Sequence, residues 1–385
     1  MNTDTIKGFQ DYTGEEALKR AKIRGIIENE FKLFGFEPVE TPLIESEEFV
    51  ERDNPNDEAV SQTFKLEDRG KRKLALRYEF TFQLKRIAKN QKLPYKRYQI
   101  GEVFRDEPVS SNRFRQFTQM DVDTIGSGPK DEAESFSLLK NILDKLGIEF
   151  VIYFNNRKLL NEIMVSEKIE ERNREQVIRE LDKLDKLSKV EVANNLKKIG
   201  AEKILKIFDK GDFRKYGSYK EIGQIEKLCK EYSVKLEFLP TLARGLSYYN
   251  GTILEVKTKE MKETVCAGGA YLVGGIQSFG FSLGLDRIST LSKISIDKLK
   301  VQVISLGKDK EAINLTNNLR EKGISTILIL DKTTSKAMEY ANAKGIENVI
   351  FVGEEEIKKG RFKVKNMING KESFLATSEL IKSLK

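Results

Sequence analysis

Residues 96–125 read KRYQIGEVFRDEPVSSNRFRQFTQMDVDTI, and this stretch decides the architecture. Segments 96–104 (KRYQIGEVF) and 114–125 (FRQFTQMDVDTI) are rich in aromatic and branched residues and predict two strands. The intervening RDEPVSSNR, with Pro108, Ser110 and Ser111, predicts a polar loop able to close over a ligand. Arg105, Asp106 and Glu107 leave the first strand, and Arg113 and Arg115 return on the second, so several guanidinium groups flank one loop. Arginine grips phosphate oxygens through paired, charge-assisted hydrogen bonds, which makes a nucleotide clamp one reading. A solvated hairpin whose arginines pair with Asp106, Glu107 and Asp123 is the other, and charge pattern alone leans towards it.

Towards the amino terminus, Thr13 and Glu16 have capping-box spacing. Leu18, Ala21, Ile23, Ile26, Ile27, Phe31 and Phe34 follow at helical period until Gly35, predicting one long amphipathic helix. Pro38 and Pro42 take the next segment out of the helix and leave room only for an edge strand, an arrangement that often builds an interface. Beyond the hairpin, a helix is predicted from Asp131 to Leu146, ended by Gly147, and EFVIYF then supplies an apolar strand. Helices with a mixed, mainly antiparallel sheet follow as the fold class.

From Lys158 to Tyr232 charged residues dominate, proline is absent, and Leu, Ile and Val recur at helical spacings, as in EQVIRELDKLDKLSKVEVANNL. This stretch reads as a helical insertion. The strand pattern returns in KLEFLP, GTILEVKT and SFGFSLGL, and a helix begins at DRISTLSKI. After Lys300, VQVISL, STILIL and NVIFVG alternate with helical segments, predicting a small α/β domain with parallel strands and a boundary near residue 297. The expected division is 1–157 and 236–297 for an interrupted first domain, 158–235 for the insertion, and 298–385 for the last.

Composition narrows the function. A chain of 385 residues suits two or three domains. At 39% hydrophobic residues, with no apolar run of spanning length and no secretory leader, a cytoplasmic protein without a membrane segment is expected. Cys229 and Cys266 lack CxxC spacing, so neither a disulfide framework nor a thiolate zinc site is expected. The net charge of +8 favours an anionic partner but is spread along the chain. The complete absence of histidine excludes Ser/His/Asp triads, imidazole bases and histidine-held metals, so no metal bound by the chain itself is expected. Neither GxxxxGK[ST] nor GxGxxG is present, so a nucleotide would need a different fold.

Two further clusters carry chemistry. LARGLSYYNGTILEV sets Arg244 before Tyr248, Tyr249 and Gly251, offering a cation, phenols and aromatic faces to an amino-acid pocket. The same tyrosines could equally pack in the core with Arg244 paired at the surface. AGGAYLVGG, followed by FGFSLGLDR, has adjacent glycines that admit a ligand close to backbone, though glycine-rich turns are common, and Arg287 at a strand end.

Taken in order, the early helix with EPVETPLIE, the strand-loop-strand around FRDE and the segment FSLGLDR resemble the three motifs of class II aminoacyl-tRNA synthetases. LARGLSYY resembles the histidine-specific signature RGLDYY, LRYEFT resembles LRYDLT, and SKAMEYANAKGIENVIFVGEEEIKKGRFKVKNM resembles the anticodon-binding domain, so nearly the whole chain is similar to the histidyl-tRNA synthetase family. The resemblance implies an α+β catalytic core that dimerises through motif 1 and uses ATP and Mg2+ to activate histidine and charge tRNA(His). It implies that Arg105 contacts the α-phosphate, Glu107 the adenine, and Arg113 with Arg287 the terminal phosphates. It places Glu79 and Thr81 on the substrate ammonium, and Gln119 and Arg244 on its carboxylate and the neighbouring α-phosphate. Asp123 and Tyr249 would meet the imidazole, with Tyr248, Tyr271, Gly268 and Gly269 lining the pocket.

The pattern is broken at three places: Ser247 stands for the usual aspartate of RGLDYY, and Ala270 and Leu272 replace the arginine and aspartate of GGRYD. A histidine-sensing regulatory paralogue is therefore the principal alternative, and a tRNA-binding protein without catalysis a further one.

Overall fold

The computed structural model describes residues 3–51, 61–110, 112–185, 187–244, 248–296 and 301–384. The chain forms two compact units, Met1–Ser295 and Ile296–Lys385. The boundary expected near residue 297 and the substitution Ser247 both lie outside the described residues.

The first unit runs through α1 (Gly14–Leu33), β1 (Glu37–Pro38), β2 (Ile44–Ser46), α2 (Glu47–Glu51), β3 (Lys65–Glu67), β4 (Lys73–Leu76) and α3 (Leu84–Ile87). The hairpin β5 (Tyr95–Phe104) and β6 (Gln116–Ile125) follows, then α4 (Pro129–Lys145) and β7 (Val151–Asn156). Five helices come next: α5 (Arg157–Ser166), α6 (Glu171–Asp182), α7 (Lys189–Lys198), α8 (Ile204–Lys210) and α9 (Tyr219–Glu231). The unit closes with β8 (Glu237–Phe238), β9 (Tyr249–Lys257), β10 (Cys266–Val273), β11 (Ile276–Gly284) and α10 (Leu285–Leu291).

Eight of these strands form one sheet in the order β1-β5-β6-β11-β10-β9-β7-β8. Only the outermost pairings, β1 with β5 and β7 with β8, are parallel. Alternation along each strand assigns the faces. Met120 and Val122 of β6, and Phe279, Phe281 and Leu283 of β11, turn to one side and pack on Ile23, Ile27 and Phe31 of α1 and on Phe136, Leu139 and Ile142 of α4. Each such side chain, removed from water, stabilises the layer by roughly 1.5–3 kcal/mol, which pins the register and so the residues on the opposite face.

Several expectations need correction. Thr13 stands at the start of α1 but its side chain makes no capping bond; Gly14 has φ +58°, so the first turn lacks the geometry a reciprocal box requires. The segment AGGAYLV, which the sequence leaves without an element, lies in strand β10, and Gly274 and Gly275 form the turn after it, at φ +57° and +84°, the positive values a two-residue hairpin favours. A small sheet, β2-β4-β3, was not anticipated.

In the second unit, β12 (Val301–Ser305), α11 (Asp309–Glu321), β13 (Thr326–Ile329), α12 (Thr334–Ala343) and β14 (Asn348–Val352) give the expected parallel pairs. After α13 (Glu354–Lys359), β15 (Phe362–Asn366) and β16 (Glu372–Leu375) add two antiparallel strands before α14 (Thr377–Leu384), so the five-stranded sheet is mixed rather than parallel. β15 (FKVKN) alternates apolar and polar residues but is only five residues long, and β16 (ESFL) is four residues without alternation, so neither stands out from sequence.

Candidate active site

The face of the large sheet away from α1 and α4 carries its polar residues in rows set by strand register. Arg97, Asp123 and Gly280 form one row across β5, β6 and β11; Gln99, Asp121 and Ser282 the next; Gly101, Gln119 and Gly284 a third. Gly280 is required by its neighbours: a methyl there would overlap the Asp123 carboxylate, so glycine is what lets that carboxylate lie across β11. Asp123 takes the Arg97 guanidinium at 2.5 Å and accepts from the Tyr271 hydroxyl, all three being buried. Asp121 accepts from Gln119 Nε2 at 2.8 Å, while its Oδ1 has no protein partner among the described residues. Burial pushes the Asp121 carboxyl up to about 6, Arg97 pulling it down and Asp123 pushing it further up.

At the end of β5, Arg105 donates to Gln119 Oε1 at 3.3 Å and lies over the rings of Tyr78 and Phe117, 4.3 and 5.0 Å from their centres. Arg113 pairs with Glu107 at 3.1 Å, and Arg115 pairs with Asp106 at 3.2 Å while donating to the Glu107 carbonyl. The hairpin reading therefore holds for two of the three expected pairs, Asp106 and Glu107 being taken by loop arginines, while Asp123 is taken by Arg97 instead. Arg287 on α10 donates to the Thr264 carbonyl at 2.6 Å. Burial lowers its pKa, and the like charges of Arg113 and Arg105 add to that, while Glu263 and Glu107 oppose it. Arg105 and Arg113 thus place like charge on Arg287, an arrangement that an anion would relieve.

The third group stands on the β9–β10 side. Arg244 donates to Glu255 Oε1 at 3.2 Å, and its buried Nε has no partner among the described residues. Tyr248 lies with its ring centre 4.7 Å from that of Tyr249 and 5.6 Å from that of Tyr271. Burial pushes the Tyr249 phenol up to about 12 and those of Tyr248 and Tyr271 well above their usual range, so all three are neutral donors at physiological pH. The Glu79 carboxylate acts electrostatically on Tyr248 and Tyr249. Gly269, paired with Gly280, sits where a side chain would strike Tyr249, whereas the side-chain position of Gly268, paired with Phe281, points to the helix side, so Gly268 can offer this group only its backbone. Thr81 lies in the turn before α3, where its carbonyl accepts from Leu84, and no described contact joins its side chain to this group.

Of the pattern breaks, Ala270 is buried in the core on the helix side, and Leu272 is half exposed near the end of β10. Tyr271, between them, faces the tyrosine cluster. Closeness in sequence therefore placed both substitutions nearer the pocket than the strand does. Sequence reasoning also missed Arg97, Asp121 and Gly280, whose contacts depend on cross-strand register. It missed the tie that Arg20 of α1, and Tyr12 just before it, make to α10, both meeting Asp286 Oδ1, at 2.8 and 2.7 Å, beside Arg287. A cavity of about 470 Å³ near Asp131 and Lys227 shares no residue with this site.

An antiparallel sheet flanked by helices, with arginines delivered by a strand-loop-strand and by the helix after the last strand, is the catalytic core of a class II aminoacyl-tRNA synthetase. The family model for histidyl-tRNA synthetase matches residues 8–288, and that for an anticodon binding domain matches residues 300–385. A curated relative from Shouchella clausii, histidine–tRNA ligase 2, is 33% identical over 416 residues that span 97% of this chain and 98% of that one. The chain belongs to the histidyl-tRNA synthetase family. In fold it is similar to a histidyl-tRNA synthetase from Nostoc sp., with a TM-score of 0.87 at 24% identity, covering 100% of this chain and 99% of the other. It is also similar in fold to an ATP phosphoribosyltransferase regulatory subunit/histidyl-tRNA synthetase from Bacillus halodurans, with a TM-score of 0.78 at 21% identity and coverage of 91% and 98%.

Proposed function

We propose that the protein activates histidine with ATP and transfers it to the 3′ end of tRNA(His). The observation that carries this reading is the pairing, on one sheet face, of an arginine group suited to polyphosphate with a carboxylate–tyrosine pocket suited to an imidazole. Family membership over nearly the whole chain supports it.

In this reading Arg105 holds the α-phosphate, Arg113 and Arg287 the terminal phosphates, and Glu107 the adenine. Gln119 and Arg244 hold the substrate carboxylate, Glu79 and Thr81 its ammonium, and Asp123 with Tyr249 the imidazole, between Tyr248, Tyr271, Gly268 and Gly269. An ionised carboxylate is already a nucleophile, so attack on the α-phosphorus needs positioning and charge stabilisation but no protein base. One P–O bond forms as the bond to pyrophosphate breaks, and the negative charge leaving with pyrophosphate stays near Arg113 and Arg287. The tRNA ribose hydroxyl then attacks the adenylate carbonyl carbon, the ester C–O bond forms as the C–O bond to AMP breaks, and the hydroxyl proton passes to the adenylate phosphate or to the RNA. Leaving Asp123 or Tyr249 unpaired would penalise an apolar competitor, which gives selectivity without an editing site.

Magnesium enters with ATP in this reading. It would supply charge neutralisation on the phosphates; among the described residues no three acidic or cysteine side chains converge as ligands. No helix among the described residues is long and apolar enough to cross a membrane, and a cytoplasmic site of action is proposed. A homodimer through the motif 1 segment is proposed; Leu33, 67% exposed, and Leu43 and Ile44, both 47% exposed, are apolar side chains which that segment leaves uncovered.

Histidine-dependent exchange of labelled pyrophosphate into ATP, tried with each amino acid in turn, tests the reading. Exchange with histidine alone, lost in Arg244→Ala, is the expected result; histidine binding without exchange would replace the reading with that of a histidine-sensing paralogue.

A further inference from the structure

A buried polar cluster outside the groups assigned above joins the helical segment to the loop bearing Arg244. Asn155, wholly buried near the end of β7, donates from Nδ2 to the carbonyls of Pro240 at 2.9 Å and Leu242 at 2.8 Å. Arg157, the first residue of α5 and 2% exposed, donates from Nη1 to the carbonyls of Ala243 at 2.9 Å and Arg244 at 3.3 Å. Its Nη2 meets both carboxylate oxygens of Glu175 at 3.0 Å, and Glu175 stands half exposed on α6. Asp182, at the far end of α6, acts electrostatically on Arg157 and Arg244 alike.

These contacts fall where the backbone needs support. Arg244 is a non-glycine residue at φ +57°, a conformation that persists only when its surroundings impose it. Among the described residues no strand pairing reaches 240–244, and the carbonyls of Pro240, Leu242, Ala243 and Arg244 are held by Asn155 and Arg157 instead. Release of the Arg244 carbonyl would let the residue relax towards ordinary backbone angles and carry its guanidinium away from Glu255, 3.2 Å distant. Arg157 in turn needs a counter-ion, because a buried guanidinium without one is costly. Glu175 supplies it.

Resting on the synthetase reading, we propose that Arg157 is a positioning residue for Arg244, and that α6 acts on the activation step through the Glu175–Arg157 pair. The helical segment then sets the geometry of the adenylation centre without touching a substrate: whatever shifts α6 shifts the cation that holds the substrate carboxylate beside the α-phosphate.

The test is steady-state pyrophosphate exchange by the full-length protein, comparing wild type with Glu175→Gln, Arg157→Lys and Arg157→Ala. Absence of exchange by the wild type would overturn the synthetase reading and this role with it; once the wild type is active, the variants test the role alone. The expected result is a fall in kcat of about tenfold in Arg157→Ala and about threefold in Glu175→Gln, with KM for ATP within about twofold. Arg157→Lys, which keeps a donor for one carbonyl, should fall between Arg157→Ala and wild type. In an Arg244→Lys background Arg157→Ala should cost little more, since both act through one group. Unchanged kcat in Glu175→Gln, or independent multiplication of the Arg157 and Arg244 effects, would overturn the proposal. Glu175 is exposed, so its variant keeps the test decisive even if Arg157→Ala fails to fold.

Discussion

Arg97 on β5 and Asp123 on β6 are cross-strand partners whose charged groups lie 2.5 Å apart inside the sheet face, with Arg97 wholly buried and Asp123 5% exposed. Breaking such a pair leaves an uncompensated buried charge, a loss of about 3–5 kcal/mol, whereas replacing both members with apolar groups of similar size is often tolerated. Arg97→Ala is therefore expected to lower unfolding stability by that amount in urea titration. The double change Arg97→Met with Asp123→Leu should recover most of it while abolishing histidine-dependent exchange. Recovery of exchange along with stability would show that Asp123 has no role in binding.

Gly280→Ala tests the same carboxylate from the neighbouring strand. The added methyl would overlap Asp123 and come within 2.6 Å of the Val122 carbonyl. We expect a stability loss of about 1–3 kcal/mol and a loss of histidine affinity of at least about tenfold by calorimetry. Unaltered affinity would mean that Asp123 does not define the pocket.

Asp121 carries a pH signature. Its pKa rises from 3.8 to about 6 chiefly through burial, so the folded chain retains a proton that the unfolded chain releases. The stability that this proton confers is complete below about pH 4 and is lost as pH rises through about 6, an effect on the order of 3 kcal/mol. Asp121→Asn should accordingly raise Tm more at pH 7.5 than at pH 4. Equal changes at the two values would refute the assignment.

Arg113, 53% exposed on its loop, supports little of the fold. Arg113→Ala should leave Tm unchanged while raising KM for ATP by about tenfold in the exchange assay, a loss near 1.4 kcal/mol. An unchanged KM would remove Arg113 from the nucleotide site.

Asp286 accepts from Arg20 and Tyr12 on Oδ1. Asp286→Asn removes the charge that balances a guanidinium buried to 10% exposure, and a Tm drop of several degrees is expected. Because Arg287 is the adjacent residue on α10, KM for ATP should rise as well; a fall in Tm without that rise would confine Asp286 to stability.

The hairpin β5–β6 was legible because its strands alternate apolar and polar residues and Pro108 sits in the loop between them. The helical stretch was legible from its spacing and lack of proline. β10 was not, since Gly268 and Gly269 look like turn formers, whereas in the sheet they are the positions where neighbouring strands leave no space for a side chain. The capping role expected of Thr13 failed because a spacing rule says nothing about the backbone angle of Gly14.

By itself the sequence determined the class of fold, the arginine-bearing loop, the tyrosine pair and the family resemblance, because these depend on residue type and local period. Only the tertiary structure decided that Arg97 pairs with Asp123, that Ala270 turns away from the pocket, and that Arg157 holds the Arg244 backbone. Those relationships join residues from 26 to 87 positions apart: the first two follow from the register of a sheet whose opposite face is fixed by burial against α1 and α4, the third from a buried guanidinium that donates to carbonyls no strand pairs.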